Sequence, residues 1–547
     1  MSSYPTMDQY NDAVQHPKTA FSDPLLKAAK IATNGMGLPI ALGGGFALTY
    51  TATTQGRKFA LRCFHKEAKG LEARYRQVDK GLRAAGSSYF VGFEYQPTGV
   101  LVNGKRYPIV KMDWVDGDTL GSFLEDNYRD KSKIEFLRQQ FTDIERFLRS
   151  KGLAHGDLQN GNVLVKSDLK LIDYDGVYVP GMATGQGAEL GHKHFQHPKR
   201  SAADFGPDMD RFSFIVIDLS LRAIAHDPQL FAKYSNGENI ILTANDFIDP
   251  ENSQAFSDLT AFAPLARDAT NLARICAAPV KSIPTLEDFL AAKNIPATST
   301  IIRSVVTAKG AKKEAVYVGA YDVVDATNFA AVQKQVGNRV ELVGKVTKVH
   351  TAKTKYGKPY CFIFFNTSQQ SVKLNIWSDG LAKLPRAPSK SWVGNWLSIQ
   401  GLVDPAWSGH HGTSLSITIT SSSQLRTITE SEARHRLKKS IPMTETQVID
   451  NRTLLKGLVT QSHTNGAWPK GRTYTPPNPK LSQSKNQAIL NTIRQNSSRT
   501  LQSKQTPPRP LPQPSPPPNP LPSKNKTTWK WIIFGMIVLF LVSKILG

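Results

Sequence analysis

The sequence predicts an α+β chain: a mixed N-terminal block, a small all-β barrel, and a C-terminal transmembrane helix. Three observations predict it. Residues 20–292 alternate strand-like and helix-like patterns, residues 330–425 are strand-rich with glycine-marked turns, and residues 531–542 (WIIFGMIVLFLV) are unbroken apolar sequence. The 547 residues suit two or three domains. Lys+Arg 68 against Asp+Glu 44 gives a formal charge of +24, which directs attention to anionic partners. Cys63, Cys276 and Cys361 are scattered and odd in number, which excludes a disulfide framework or a cysteine-rich zinc site.

The chain reads in five parts. After the block at 20–292, residues 293–329 are a linker of no clear pattern, and 330–425 form the barrel. Residues 440–530 are a basic, Pro-rich spacer. Between 451 and 530 it carries 13 Lys/Arg and no Asp or Glu, and its PPRPLPQPSPPPNPLP run favours polyproline II over helix or sheet. This charge has three readings, a solvated tail, attraction to anionic lipid or contact with nucleic acid, and the expected anchor beside it favours lipid and solubility. Residues 531–547 are 17 in number, roughly 25 Å as a helix and at the short limit for a span. With Lys524, Lys526 and Lys530 before it, this segment reads as a single-pass anchor that leaves the preceding domains in the cytoplasm. The N-terminus lacks the apolar core of a signal peptide.

The strongest chemical signal is LAHGDLQNGNVLVKSDLKLIDYDG, residues 153–176. It reads as a polar loop, a short strand, a turn and a second strand ending in acids. Moving a phosphoryl group to a hydroxyl requires a carboxylate to orient the attacking oxygen, oxygen ligands for Mg²⁺, and cations on the phosphates. The loop offers Asp157 and Asn162, and the second strand delivers Asp173 beside them.

These residues resemble the catalytic loop and metal-binding motif of the protein kinase superfamily, and the resemblance implies a bilobal protein-kinase-like domain. It also implies ATP and Mg²⁺ as cofactors, Asp157 as catalytic base, and Asn162 and Asp173 as metal ligands. Other landmarks follow in order. The run from Leu42 through Gly43, Gly44 and Gly45 to Tyr50 resembles the glycine-rich loop, and KFALRCF resembles the strand bearing the phosphate-binding lysine. There Arg62 takes the lysine's place, with Lys58 four residues before it. A helix over residues 66–83 carries Glu72 as the expected ion-pair acid for Arg62. Asp113 and Val115 fall at the hinge that would bond adenine, and Asp210 matches the buried aspartate that braces the catalytic loop. Gly156 stands where the family has an arginine that grips an activation-loop phosphate, so no such switch is expected. Gln159 replaces a second lysine. The resemblance implies transfer to Ser or Thr of a protein substrate. A scaffold without turnover and a small-molecule phosphotransferase are the alternatives. His192, His194 and His197 form H-x-H-x-x-H, read either as a zinc set or as packing residues of the activation segment.

In the barrel, strands are expected at 339–350, 359–366, 372–377, 396–403 and 414–420, with a short helix at 379–384. This pattern resembles an OB-fold. Tyr360, Phe362, Phe364 and Trp377, with Lys353, Lys355, Tyr356 and Lys358, leave two readings: a packed barrel for protein contacts, or a face for nucleic acid or oligosaccharide.

Overall fold

The computed structural model describes residues 4–34, 37–43, 47–66, 70–187, 189–298, 317–366, 369–409 and 412–439. All of them belong to one compact unit, Met1–Thr464.

An antiparallel sheet opens the chain. Its strands are β1 (Lys30–Ile31), β2 (Ala41–Gly43), β3 (Ala47–Thr54), β4 (Arg57–Phe64), β5 (Phe93–Val102) and β6 (Lys105–Asp113), in the order β1-β3-β4-β6-β5, with β2 also paired to β3. Thr49, Arg62 and Val110 lie side by side across its centre. Three helical segments precede the sheet, α1 (Met7–Val14) and two single turns at Pro17–Ala20 and Pro24–Lys27, and Thr6 and Gln9 close a capping box at the start of α1. Met7, Tyr10 and Val14 repeat at helical spacing and are buried with Tyr50, Phe59 and Leu61, and the Tyr10 hydroxyl donates to Phe64 O at 2.6 Å. The block therefore begins well before residue 20, where the sequence reading placed its start.

The next long helix, α2 (Leu71–Ala85), follows β4 and buries Tyr75, Val78 and Leu82. It starts five residues later than expected, after Gly70 in the left-handed region (φ 77°). Beyond the sheet the chain becomes mostly helical. The element α3 (Leu120–Asn127) leads to α4 (Lys131–Lys151), whose Ile134, Leu137, Phe141, Ile144 and Leu148 form one apolar stripe. That stripe packs in the same core as α5 (Arg211–His226) and α6 (Ala263–Ala277). A small sheet joins β7 (Asp118–Thr119), which directly precedes α3, to the hairpin of β8 (Val163–Val165) and β9 (Leu169–Leu171) that follows α4.

The barrel strands are β10 (Asp322–Asp325), β11 (Arg339–Lys345), β12 (Lys348–Lys353), β13 (Pro359–Phe364), β14 (Gln370–Ile376), β15 (Trp396–Gly409), β16 (Gly412–Ile419) and β17 (Leu425–Ile428). Their order is β10-β11-β15-β16-β14-β13-β12, with β17 on β15. Because β11 and β12 are separated by two residues of chain, the hydrogen-bonded path returns on itself. Cys361, Ile363, Leu374, Ile399 and Ile417 alternate into its core. Strands lie at all five expected positions, and a helix spans Ser378–Lys383. The first of the five, expected as one strand over 339–350, is divided into β11 and β12 at residues 346–347, and the short flanking strands β10 and β17 are additions. At the barrel's end, the fully buried Glu341 accepts from Ser398 Oγ and Tyr317 Oη at 2.8 Å each and pairs with Arg436 at 2.5 Å.

One part of the expected architecture is overturned. Among the described residues no helix is long and apolar enough to cross a membrane. The longest, α4, carries charges along one face, and the apolar α5 has 16 residues. Residues 531–547, where the anchor was expected, and the spacer at 440–530 lie outside the described residues. The fold class is corrected to a mixed α and β chain, and the single-pass membrane placement is withdrawn.

Removing one partner of a buried ion pair strands the other charge. Arg436→Met should lower unfolding free energy by about 3–5 kcal/mol, read by denaturant titration; Arg436→Lys should lower it less.

Candidate functional site

The β8–β9 hairpin delivers the central constellation. Asn162 immediately precedes β8 and Asp173 follows β9 by two residues, and the Ile172 N–H donates to Asn162 O at 2.9 Å. Asn162 Nδ2 donates to Asp157 Oδ2 at 2.8 Å and to Asp157 O at 2.9 Å. On the other side, the His192 N–H donates to Asp157 Oδ1 at 2.6 Å. Both carboxylate oxygens of Asp157 are thus fixed.

The loop carrying Asp157 is itself braced from beneath. Asp210, 4% exposed, accepts from the His155 N–H at 2.5 Å and the Gly156 N–H at 2.8 Å. These are two backbone donors that would otherwise be buried without partners. Gly156 is left-handed (φ 84°), and a β-carbon there would collide with Gly176 O. This geometry accounts for glycine at a position where a long side chain was the family expectation. Gly191 is left-handed as well (φ 74°). A β-carbon on it would lie 2.6 Å from Gly156 O and 3.1 Å from Asp157 Oδ1, so glycine permits the close approach of the His192 N–H.

Arg62, buried on β4, pairs with Asp173 Oδ1 at 2.5 Å and with Asp175. Burial alone would lower its pKa, but Asp173 and Asp175 hold it well above the ordinary value. Asp175 also accepts from the Tyr75 hydroxyl, and Arg74 grips the Asp175 and Val177 carbonyls at 2.6–3.0 Å. Asp173 takes a left-handed backbone (φ 69°), uncommon outside glycine. Burial, with Asp175, Asp173 and Asp157 nearby, holds the Glu189 carboxyl well above its usual range.

Some expected residues are elsewhere. Glu72 sits in the first turn of α2 and pairs with Arg76 at 2.5 Å, so it does not steady Arg62. The inward face of α2 reaches the site instead through Tyr75. Lys58 lies four residues along β4 from Arg62, about 13 Å at strand spacing. It pairs with Asp116 at 3.3 Å near the exposed strand end. The Asp113 side chain pairs with Arg57 at 3.4 Å and its N–H donates to Gly92 O, while Val115 packs against the core. Gly43 ends β2 and lines the cleft, whereas Gly44 and Gly45 lie outside the described residues. The three histidines face separate partners. His194 Nδ1 accepts from the Ala244 N–H and His197 Nε2 meets Ile275 O, and among the described residues no cluster of His, Cys, Asp and Glu is set to hold a metal.

These groups line a cavity of about 1970 Å³ that also reaches the barrel. Ala47, Ala60, Arg62 and Met112 form one wall and Asp157, Asn162 and Asp173 the floor. The opposite wall is the outer barrel face. There His350, Phe362, Asn375 and Thr418 lie in register across four strands. Phe362 meets Tyr360 and Trp377 at ring-centroid distances of 4.8 and 5.9 Å, and Lys373 Nζ lies 4.5 Å from the Phe362 ring. Asn375 Oδ1 and Trp377 Nε1 are buried without a hydrogen-bond partner among the described residues. Sequence reasoning missed Tyr75, Asp175, Glu189 and the Gly191–His192 turn as site components. A weak signal existed only for the turn, in a glycine preceding the histidine cluster.

A Gly156→Ala variant combines a left-handed β-carbon with a backbone collision and should lose on the order of 2 kcal/mol or more of stability. Thermal unfolding checks this, and a neutral result would mean that the loop has another backbone conformation.

No family model matches the chain, and no curated protein matches it. Among solved structures, the crystal structure of the PknI kinase domain of Mycobacterium tuberculosis aligns over 50% of this chain and 97% of that domain. The identity is 17% and the TM-score 0.31. A likeness at this level carries no argument about the fold or the chemistry of this chain.

Proposed function

We propose that this chain is an ATP- and Mg²⁺-dependent phosphotransferase acting on Ser or Thr of a protein substrate. The observation that carries the reading is the convergence of Asp157, Asn162 and Asp173 beside a cleft floored by a loop that Asp210 braces. Asp157, fixed at both oxygens, orients the acceptor hydroxyl and takes its proton as the oxygen attacks. Asn162 and Asp173 would hold Mg²⁺. The donor set fits: the Asn162 amide nitrogen is spent on Asp157, which leaves its oxygen as the ligand atom. One or two protein oxygens completed by phosphates and water is the usual magnesium arrangement. Asp157, Asp173, Asp175 and Glu189 line the same cavity as Arg62 and Lys66, and a divalent cation would add positive charge beside the carboxyls. When bound, the metal supplies charge neutralisation on the phosphates. Arg62 supplies a fixed positive charge from β4. The segment carrying Gln196, His197, Pro198 and Arg200 lines the same cavity beside Asp157, which supports an acceptor large enough to reach both.

The test is transfer from radiolabelled ATP to generic protein acceptors with Mg²⁺. Asp157→Asn and Asp173→Ala should each lower the rate at least a hundredfold. Equal signal from both variants and the unaltered chain would favour a scaffold without turnover. That reading draws on Arg62, which is already paired to Asp173 and Asp175.

A second partner class, single-stranded nucleic acid on the barrel face, is favoured by the buried unpartnered Asn375 Oδ1 and Trp377 Nε1 beside the aromatic shelf and Lys373. Oligonucleotide anisotropy with the full chain should show binding that weakens steeply with salt and falls in Phe362→Ala. Lack of binding at low salt would remove this reading.

A further inference from the structure

The barrel reaches the catalytic loop through one buried carboxylate. Glu238, in the segment after α5, has a side chain 13% exposed. Its Oε1 pairs with Arg339 of β11 at 3.0 Å, and its Oε2 accepts from the Tyr321 hydroxyl at 2.9 Å. Arg339 also stacks on the Tyr321 ring at 5.0 Å. On the other side, His192 Nε2 lies 3.3 Å from Glu238 Oε2, an ion-pair distance without the alignment of a hydrogen bond. His192 Nδ1 accepts from the His194 N–H at 3.3 Å, which leaves Nε2 as the ring nitrogen nearest the carboxylate. The same His192 donates its backbone N–H to Asp157 Oδ1. Burial alone would raise Glu238, yet Arg339, His192 and Tyr321 hold it down at about 2, so it stays ionised. The residue before His192, Gly191, is left-handed and leaves no room for a β-carbon beside Gly156 O, which lets the His192 N–H approach Asp157.

We infer that Glu238 is a positioning residue for phosphotransfer: clamped by Arg339 and Tyr321 of the barrel segment, it holds the His192 ring so that the His192 N–H fixes the Asp157 carboxylate. The barrel therefore completes the active site rather than accompanying it. This rests on the phosphotransfer reading above for its catalytic consequence, though not for the clamp itself. Asp157 then has two independent restraints, one from its own loop through Asn162 and one from the barrel through Glu238. Loss of the second leaves nucleotide binding intact and loosens the geometry in which the acceptor proton is taken.

The experiment uses the full chain with Glu238→Gln, which keeps shape and removes charge, and Tyr321→Phe, which removes a single hydroxyl. Phosphotransfer kinetics and amide hydrogen exchange are measured together. Glu238→Gln should lower kcat roughly ten- to hundredfold with the KM for ATP unchanged. The His192 amide should exchange faster while the His155 and Gly156 amides, held by Asp210, keep their protection. Tyr321→Phe should move both readouts in the same direction by less. An unchanged or raised kcat in an active chain, or a His192 amide as protected as before, overturns the inference. Should the unaltered chain show no transfer at all, the functional reading fails. The exchange readout then still decides the clamp.

Discussion

The structure depends on a charge problem at one place in the fold. Asp173 and Asp175 meet the buried Arg62 guanidinium, Asp157 and Glu189 line the same cavity, and burial makes every unpaired charge there costly. The fold answers with fixed donors. Arg62 divides itself between two carboxylates, Tyr75 and Arg74 hold Asp175 from α2, and backbone N–H groups meet Asp157 and Asp210. Each donor sits on a different element, so β4, α2, the hairpin and the segment before α5 are placed by the same electrostatic demand. A site organised this way is set before any ligand arrives, and preorganised dipoles of that kind are what a charge-moving reaction uses.

The parts of this site that depend on short-range spacing were legible in the sequence. A five-residue interval puts Asn162 back on Asp157, and a tight hairpin brings Asp173 beside them. The alternation of Tyr360, Phe362 and Phe364 with Cys361 and Ile363 gave the barrel face. The residues that were misread failed for local geometric reasons. Glu72 was assigned from a helix beginning at residue 66. Gly70 starts α2 at Leu71, which turns Glu72 toward Arg76 and gives the inward position to Tyr75. Lys58 shares a strand face with Arg62, but the strand carries it out to Asp116. The helix α1 was overlooked although Met7, Tyr10 and Val14 have the right period, because polar residues surround them.

What no spacing rule could supply is the meeting of distant segments. Glu238 and Arg339 are 101 residues apart, and so far as pattern goes each is an ordinary surface charge. Their pairing exists because the barrel packs beside the cleft, and that packing is made by small surfaces: Leu402 against β2, Ser423 against Gly237, Val318 against Asn245. The short strands β10 and β17 were hidden for the same reason, since four-residue edges are defined by the neighbours they join.

The contact between Gly43 and Leu402 carries a consequence for how such a chain can change over time. A side chain at residue 43 would enter the volume that the Leu402 methyls fill, and those methyls end a flexible side chain that can swing away. The seam between the halves therefore has some give: a small change on one side is absorbed by a leucine rotamer before it disturbs the backbone on the other.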